Sequence, residues 1–206
     1  MCELVIEVKG PLACFTNLQM KGERFSYDVI TPSAGVGIFE SILWKPEIEW
    51  WITRIEVLSP IIHDTLMTNE VGFKAKASKL ESFFVQDHRV QRLTRLLRNV
   101  HYRLSARLID KSGNPIKYID MLKRRAKNGQ CYRQPCLGLR EFAADFRWVD
   151  GEGTIKPIPV SKDLGLMLHS FNWKNGREPR FWHAYMNNGV ILVPPVNSNE
   201  VVCATN

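Results

Sequence analysis

The segment 100–109 alternates apolar side chains with polar or charged ones at a period of two. Because successive side chains of a strand point to opposite faces, the pattern predicts a half-buried strand whose outer face carries His101 and Arg103. Turn residues occupy 110–114, and Pro115 can take the first position of a helix. The chain must therefore accommodate a strand, a tight turn and a helix in direct succession.

The first half of the chain has a similar order. Residues 3–9 alternate and predict a first strand, which Gly10 and Pro11 should end. Thr31 can cap a helix with a proline at its first position, and apolar residues then recur at helical spacing. Pro46 should end that helix, because the residue before a proline resists the helical conformation. A strand, a helix and a break are therefore expected before residue 48.

The middle of the chain is less uniform. Residues 48–58 are rich in Ile, Trp and Val and predict a second strand ended by Pro60. Residues 71–85 are mixed and indicate an excursion or a hairpin. Arginines three apart in 89–98 would form a basic ridge on a helix but would share no face of a strand. The pattern leaves both alternatives open for this segment.

The second helix should run from Pro115 to the cap at Asn128 and Gly129, with a further strand near 137–142. The predicted order is then strand, helix, strand, excursion, strand, helix, strand. This is the ferredoxin-like βαββαβ plan of the α+β class, which RNA-recognition folds share.

The predicted order also divides the chain. Residues 1–146 are expected to form the ferredoxin-like domain, with an excursion near 60–98. Residues 147–206 are rich in Gly, Pro and Trp, and predict a small β-rich C-terminal part with strands at 164–171 and 189–193.

Basic residues are concentrated in one part of the sequence. Thirteen Arg or Lys and two acids lie between Arg89 and Arg133, so this run carries +11 while the rest of the chain carries −4. A field of this sign attracts polyanions, and phosphate contacts dominate non-specific nucleic-acid affinity. The alternative is an ordinary solvated face, but such faces usually mix charge signs. The run indicates binding of a polyanion such as a nucleic acid.

Other function classes find little support. The five cysteines are scattered without a Cys-x-x-Cys pair, so neither a disulfide framework nor a zinc site is expected. No apolar run is long enough to cross a membrane. The N-terminus carries Glu3 and Glu7 within its apolar stretch and lacks the basic start of a secretory signal, so we expect a cytoplasmic protein.

Six short segments together resemble the CRISPR-associated Cas-five family, in its type I-C (Dvulg) branch. The resemblance covers nearly the whole chain and depends on the order and spacing of the segments. They are SYDVITPSA at 26–34, WKPEI at 44–48, QRLTRLLRNV at 91–100, RRAKNGQC at 124–131, QPCLGLREF at 134–142 and LGLMLHSF at 164–171.

This resemblance implies a RAMP-superfamily protein of bacterial antiviral defence. Type I-C members cut the repeat of the CRISPR precursor RNA and retain the 5′ handle of the guide. They then act in a surveillance complex, the Cascade, with its large subunit and backbone subunits. The implied reaction needs no metal or cofactor: a ribose 2′-hydroxyl attacks the adjacent phosphate and leaves a 2′,3′-cyclic phosphate.

The resemblance also implies positions for the chemistry. Active members have a Tyr at the end of the first helix and a Lys-His pair opening the second. The first position is Leu43 here, and the pair falls on Lys117 and Tyr118. Lys117 could stabilise the phosphorane, and Tyr118 could donate a proton or be a helix aromatic without a catalytic role. Both have reference pKa values of about 10, so neither is a ready base. None of the five histidines is assigned as the base.

Phosphate binding is expected from arginines and lysines, which suit charge-assisted contacts. Trp44, Tyr132 and Trp173 could stack on bases or pack in the core. The phosphate-contact candidates are Arg24, Arg92, Arg95, Arg98, Lys123, Arg124 and Arg125.

Two hypotheses about the function follow, and a third is weaker. The first is a metal-independent endoribonuclease that processes its repeat RNA. The second is a structural subunit that clamps the 5′ handle without cutting, as Leu43 and the missing His indicate. The third is binding of double-stranded DNA by the same basic surface, because electrostatic attraction does not distinguish the two polymers.

Overall fold

The computed structural model describes residues 3–20, 23–72, 84–111, 113–151, 153–173 and 176–203. These form a mixed α/β protein with two α-helices and mostly antiparallel strands, as the sequence predicted. In chain order the elements are β1 (Leu4–Ala13), β2 (Arg24–Phe25), α1 (Pro32–Ile42), β3 (Ile48–Val57), β4 (Ile62–Val71), a short 3-10 helix (Val85–His88), β5 (Arg89–Asp110), α2 (Pro115–Lys127), β6 (Asp145–Trp148), β7 (Lys162–Asn172), β8 (Glu178–Met186), β9 (Val190–Leu192) and β10 (Val202–Cys203).

The larger sheet is arranged around β5, which spans 22 residues. Its second half lies between β1 and β3, and the described strands follow the order β6-β1-β5-β3-β9, all antiparallel to their neighbours. Its first half pairs with β4 over the full length of that strand and with the short parallel strand β2. The segment 89–98 is therefore extended, which decides between the two alternatives that its sequence allowed.

Both helices cover the larger sheet and begin where their sequences predict. The Oγ1 of Thr31 accepts a hydrogen bond of 3.2 Å from the backbone N–H of Ala34, which caps α1. Helix α1 packs on β3, and α2 packs on β5 and β6. Tyr118, Leu122 and Ala126 recur at every fourth position of α2 and are buried. This spacing gives α2 one apolar face and leaves most of its cations on the others.

Two predictions about strands are wrong: the end of the first strand and the strand at 137–142. Strand β1 continues through Gly10 and Pro11 to Ala13. The register places Pro11 opposite Asn99, whose φ of 52° already interrupts the ladder, so the missing N–H of the proline is tolerated there.

The strand predicted at 137–142 is instead a turn, closed by a bridge between Cys136 and Ala143, and the next strand is β6. Gly138 has a φ of 89°, and a Cβ there would lie 1.9 Å from the carbonyl oxygen of Cys14. The chain therefore turns at a position where a side chain has no room.

The C-terminal region forms a three-stranded sheet in the order β10-β8-β7. The predicted strand 164–171 lies within β7, and 189–193 spans β9. Strand β9 leaves this region and pairs with β3 of the larger sheet. The sequence did not predict β8 or most of β4, and much of the expected excursion at 71–85 lies outside the described residues. Within the described ranges, no helix is long and apolar enough to cross a membrane.

Candidate functional site

The C-terminal end of α1 is held by residues that come from α2 and the segment after it. The Nη1 of Arg125 donates a hydrogen bond of 2.8 Å to the carbonyl oxygen of Ile42. The backbone N–H of Tyr132 donates to the carbonyl of Ser41 over 2.8 Å, and the Nε of Arg133 donates to its Oγ over 3.1 Å. Two guanidinium groups therefore lie at the helix end, where the macrodipole is negative and favours cations.

Leu43 directly follows this helix end and is a packing residue. Its side chain is fully buried, and its carbonyl oxygen accepts a hydrogen bond of 2.9 Å from the indole Nε1 of Trp50. A buried aliphatic side chain cannot transfer a proton or carry charge. The first position that the resemblance assigns to the chemistry therefore stabilises the core instead.

Lys117 and Tyr118 are adjacent in the first turns of α2 but have different environments. Lys117 is exposed, whereas Tyr118 is only 6% exposed and belongs to the core cluster. The Nζ of Lys117 lies 5.7 Å from the centre of the Tyr118 ring. This cation–π contact keeps the exposed ammonium close to the face of the buried aromatic ring.

The other basic residues of α2 are divided among different partners. Lys123 and Lys127 both approach Asp150, with N–O distances of 3.3 and 2.7 Å. Hydrogen bonds from Lys127 and Trp148 hold the pKa of Asp150 well below its usual range. Arg124 is exposed, and Arg125 holds the end of α1 as described.

The basic residues near the β4–β5 pairing lie on both faces of the ladder. Arg24 and Arg92 share the carboxylate of Glu70, at 2.5 and 3.6 Å, and Arg98 pairs with Asp64. Arg95 lies on the other face of β5, with its guanidinium 5.3 Å from the centre of the Phe25 ring. Because successive side chains of a strand alternate, the four arginines of 89–98 form no single ridge.

One arginine of the basic run is removed from the surface entirely. Arg103 is 4% exposed and lies between Glu7 and Glu56, at 2.8 and 2.5 Å. Arg147 also reaches Glu7, at 2.5 Å. The charge that the sequence places between residues 89 and 133 is therefore larger than the charge available to a ligand.

Three aromatic residues for which core packing was one alternative are exposed. Trp44, Tyr132 and Trp173 are 54%, 76% and 72% exposed. Trp44 and Tyr132 flank the held end of α1, next to Lys45 and Arg133 in the sequence. Each of these two aromatics adjoins a cation in the sequence, and that signal could have favoured exposure.

The described part of the chain contains no cluster of three or more His, Cys, Asp or Glu side chains that could hold a metal ion. His101 lies 3.4 Å from Glu7, and burial lowers its pKa against the opposing effect of that carboxylate.

The chain matches known proteins over almost its whole length. Residues 3–194 match the model of the CRISPR-associated protein Cas5 family, in its Cas5d form. A "CRISPR pre-crRNA endoribonuclease Cas5d" of Mannheimia succiniciproducens is 41% identical over 95% of this chain and 96% of its own. A protein with the same description from Thermus thermophilus is 35% identical over 98% of this chain and 95% of its own.

Solved structures with the same fold are more distant in sequence. A "CRISPR-associated Protein" superposes with a TM-score of 0.72 at 23% identity, covering 98% of this chain and 96% of the other. A chain of a "CRISPR RNA-guided surveillance complex" gives a TM-score of 0.54 at 14% identity, covering 98% and 92%. These structures share the fold of the chain. The family match over residues 3–194 and the two relatives at 41% and 35% identity show that the chain belongs to the Cas5 family of CRISPR-associated proteins.

Proposed function

We propose that this protein is an endoribonuclease that cleaves CRISPR precursor RNA in its repeat. It then retains the 5′ handle of the guide as a subunit of a type I-C surveillance complex. The observation that carries the proposal is the identity of 41% and 35%, over nearly the whole chain, to two proteins named for this cleavage. The exposed cations of α2 and of the β4–β5 pairing support it, because an RNA substrate is a polyanion.

The strand order supports a ferredoxin-like interpretation of residues 1–146. Strands β1, β3, β5 and β6 with helices α1 and α2 follow the βαββαβ sequence of elements. The hairpin of β4 with the first half of β5 would be the excursion near 60–98. The β-rich C-terminal part, residues 147–206, would then add β9 to the edge of the first sheet.

The proposed reaction needs no metal ion. The 2′ oxygen forms a bond to phosphorus as the bond from phosphorus to the 5′ oxygen breaks, which leaves a 2′,3′-cyclic phosphate and a 5′-hydroxyl. A base takes the 2′ proton, an acid protonates the leaving 5′ oxygen, and a cation stabilises the negative charge of the phosphorane.

Lys117 and Tyr118 are the proposed catalytic residues. Lys117 is exposed, so its ammonium can approach the phosphorane. Tyr118 would take the place of the family's His as a proton or hydrogen-bond donor, but it is almost fully buried and must reach the RNA through its hydroxyl. Lys117 is therefore the better supported of the two.

RNA binding is proposed for exposed and partly exposed cations on two parts of the fold. On the strands, ion pairs with Glu70 and Asp64 orient three of the guanidinium groups. Such pairs are weak in water and can be exchanged for phosphate. The proposed contacts are Arg24, Arg92, Arg95, Arg98, Lys123, Arg124 and Arg125.

The experiment is cleavage of the cognate repeat RNA in EDTA by the wild type, Lys117→Ala and Tyr118→Phe. We expect a single cut at the 3′ base of the repeat stem by the wild type and a loss of at least about tenfold in rate for Lys117→Ala. Absence of any cut by folded wild type that still binds the RNA would reject the nuclease proposal.

A second candidate function is a clamp that holds the 5′ handle without cutting. Two observations favour it. Leu43 and Tyr118 stand where the resemblance implies a Tyr and a His, and both side chains are buried. In that case Lys117→Ala and Tyr118→Phe leave the level of processed guide in cells unchanged. The large subunit and the backbone subunits would be partners in both cases. Competition between RNA and double-stranded DNA at moderate salt tests the DNA alternative.

A further inference from the structure

A cleft of about 590 Å³ lies between the outer side of α1 and the C-terminal sheet. Its lining includes the aromatic side chains of Trp44, Trp50, Trp51, Phe171 and Trp173. Trp44 and Trp173 are 54% and 72% exposed, although large aromatic side chains are usually mostly buried. The cleft is therefore an aromatic surface that the core does not use, and we call it the aromatic cleft.

The aromatic cleft begins at the candidate functional site. Trp44 follows Leu43, whose position the family resemblance assigns to the chemistry, and Lys45 lies beside it in the lining. Arg133 holds the same helix end through Ser41. A strand of RNA whose backbone crosses this helix end would therefore have the aromatic cleft as its next surface.

A second cation contacts two of the aromatic residues that line the cleft. The guanidinium of Arg177 lies 5.0 Å from the centre of the Phe171 ring and 5.4 Å from that of Trp173. A guanidinium stacked on aromatic rings still presents N–H donors at its edge for a phosphate. Lys45 and Arg177 thus lie beside exposed aromatic side chains, and single-stranded nucleic-acid sites combine cations and aromatic side chains in this way.

The carboxylates in the lining oppose this arrangement only weakly. Glu49 forms an ion pair with Lys111. Burial raises the pKa of Glu40, although the nearby Arg133 acts in the opposite direction. Each carboxylate therefore has a cation nearby, Lys111 for Glu49 and Arg133 for Glu40, and these cations offset its repulsion of a phosphate. The charge pattern therefore fits RNA better than a basic peptide, which would need those carboxylates free.

We propose that the aromatic cleft binds unpaired nucleotides of the RNA, with bases stacked on Trp44 and Trp173 and the backbone contacted by Lys45 and Arg177. This rests on the proposed function, because it takes the same RNA as the ligand. Base stacking on an aromatic residue is worth roughly 1–3 kcal/mol per base, which corresponds to a loss of about 5- to 150-fold on truncation to Ala.

The experiment measures affinity for two probes: oligouridylate of about ten nucleotides, and the repeat hairpin trimmed of its unpaired flanks. We expect Trp44→Ala and Trp173→Ala each to weaken oligouridylate binding by about 5- to 150-fold and to leave hairpin binding unchanged. Trp173→Tyr keeps a stacking ring and should retain most of the affinity. Tyr185→Ala is the matched control, because Tyr185 is 53% exposed but lies outside the cleft lining.

The outcomes separate this proposal from the proposed function. If the wild type cuts the repeat but the Trp variants bind oligouridylate as tightly as it does, the aromatic cleft is not an RNA site and the nuclease proposal stands. Loss of subunit assembly at unchanged RNA affinity would likewise overturn the RNA assignment, in favour of a protein partner. If the wild type does not cut but binds oligouridylate through the two tryptophans, the cleft proposal holds alone.

Discussion

The guanidinium of Arg103 donates to the Glu7 carboxylate over 2.8 Å from Nη2 and 3.1 Å from Nε, and to Glu56 over 2.5 Å from Nη1. Its Nη2 also donates to the carbonyl oxygen of Ile155 over 2.7 Å. All three charged side chains are almost completely buried. These contacts join β1, β3 and β5 at the centre of the larger sheet, so an arginine from the basic run has a structural role.

Replacing Arg103 with Met should destabilise the protein by about 3–5 kcal/mol, because two buried carboxylates lose the buried cation that both contact and keep only the partly exposed Arg147 and Arg54. Arg107→Met on the same strand is the control. Arg107 is 42% exposed and lies 3.8 Å from Glu3, so its loss should cost no more than about 1 kcal/mol. Urea unfolding measures both free energies, and equal losses would contradict the structural role.

The same cluster predicts how stability depends on pH. Burial alone would raise the pKa of Glu7, but hydrogen bonds from Arg103 and Arg147 bring it below its ordinary value of 4.5. The unfolded chain then binds the proton more readily than the folded one. The contribution of Glu7 is therefore complete above pH 4.5 and is lost as the pH falls through the lower folded-state pKa.

Unfolding free energies measured from pH 7 down to pH 3 test this dependence. The wild type should lose stability below about pH 4.5, and Glu7→Gln, which has no titrating group there, should start less stable and fall less steeply. An equal slope in both proteins would show that Glu7 does not contribute in this range.

Removing the carboxylate that holds Arg24 and Arg92 should strengthen RNA binding. Glu70→Gln frees both guanidinium groups for phosphate and should raise affinity by up to about fivefold, since an exposed ion pair is worth about 0–1 kcal/mol. Glu3→Gln makes the same charge change beside Arg107, which is not a proposed contact. Electrophoretic mobility shifts of repeat RNA measure both, and an equal gain in the two variants would indicate only a change in net charge.

Local patterns predicted the helices and the central strands well, because capping and periodicity act within a few residues. Thr31 caps α1 as expected, and the alternation at 100–109 lies within β5. The turn at Gly138 depends on the backbone of Cys14, far away in the sequence, so the pattern at 137–142 could not reveal it.

The candidate site was less predictable, because it too depends on contacts between residues that are far apart in the sequence. Charge counting could not separate Arg103, which is buried between two glutamates, from Arg95, which is exposed beside Phe25. Likewise, the hydrogen bond from Arg125 to Ile42 joins two distant helices and leaves no local pattern. The sequence indicated which residue types bind an anion, whereas tertiary contacts determine which of them remain available.

Replacing Tyr118 with the histidine that the family resemblance implies tests the catalytic role that we propose for this position. Tyr118→His should raise the single-turnover cleavage rate, because an imidazole titrates near neutral pH and a phenol does not. Tyr118→Phe is the matched variant and should lower the rate. Equal rates for the two variants would show that position 118 takes no part in proton transfer.

Replacing Leu43, at the end of α1, with the tyrosine that the resemblance implies should lower the stability of the folded protein. Leu43 is fully buried, so Leu43→Tyr should destabilise the protein by about 1–3 kcal/mol through overpacking. Thermal or urea unfolding measures the change. A variant as stable as the wild type would show that the core around Leu43 can accommodate an aromatic ring.

In the reaction that we propose, the RNA's own 2′-hydroxyl attacks the scissile phosphate. Its most direct test compares the cognate repeat RNA with the same RNA carrying one 2′-deoxynucleotide immediately 5′ of the cut, both in EDTA. We expect equal binding of the two RNAs, a single cut with a 2′,3′-cyclic phosphate in the first and no cut in the second. Cleavage of the deoxy-substituted RNA at the same position, or no cleavage of either RNA, would contradict the proposed attack by the 2′-hydroxyl.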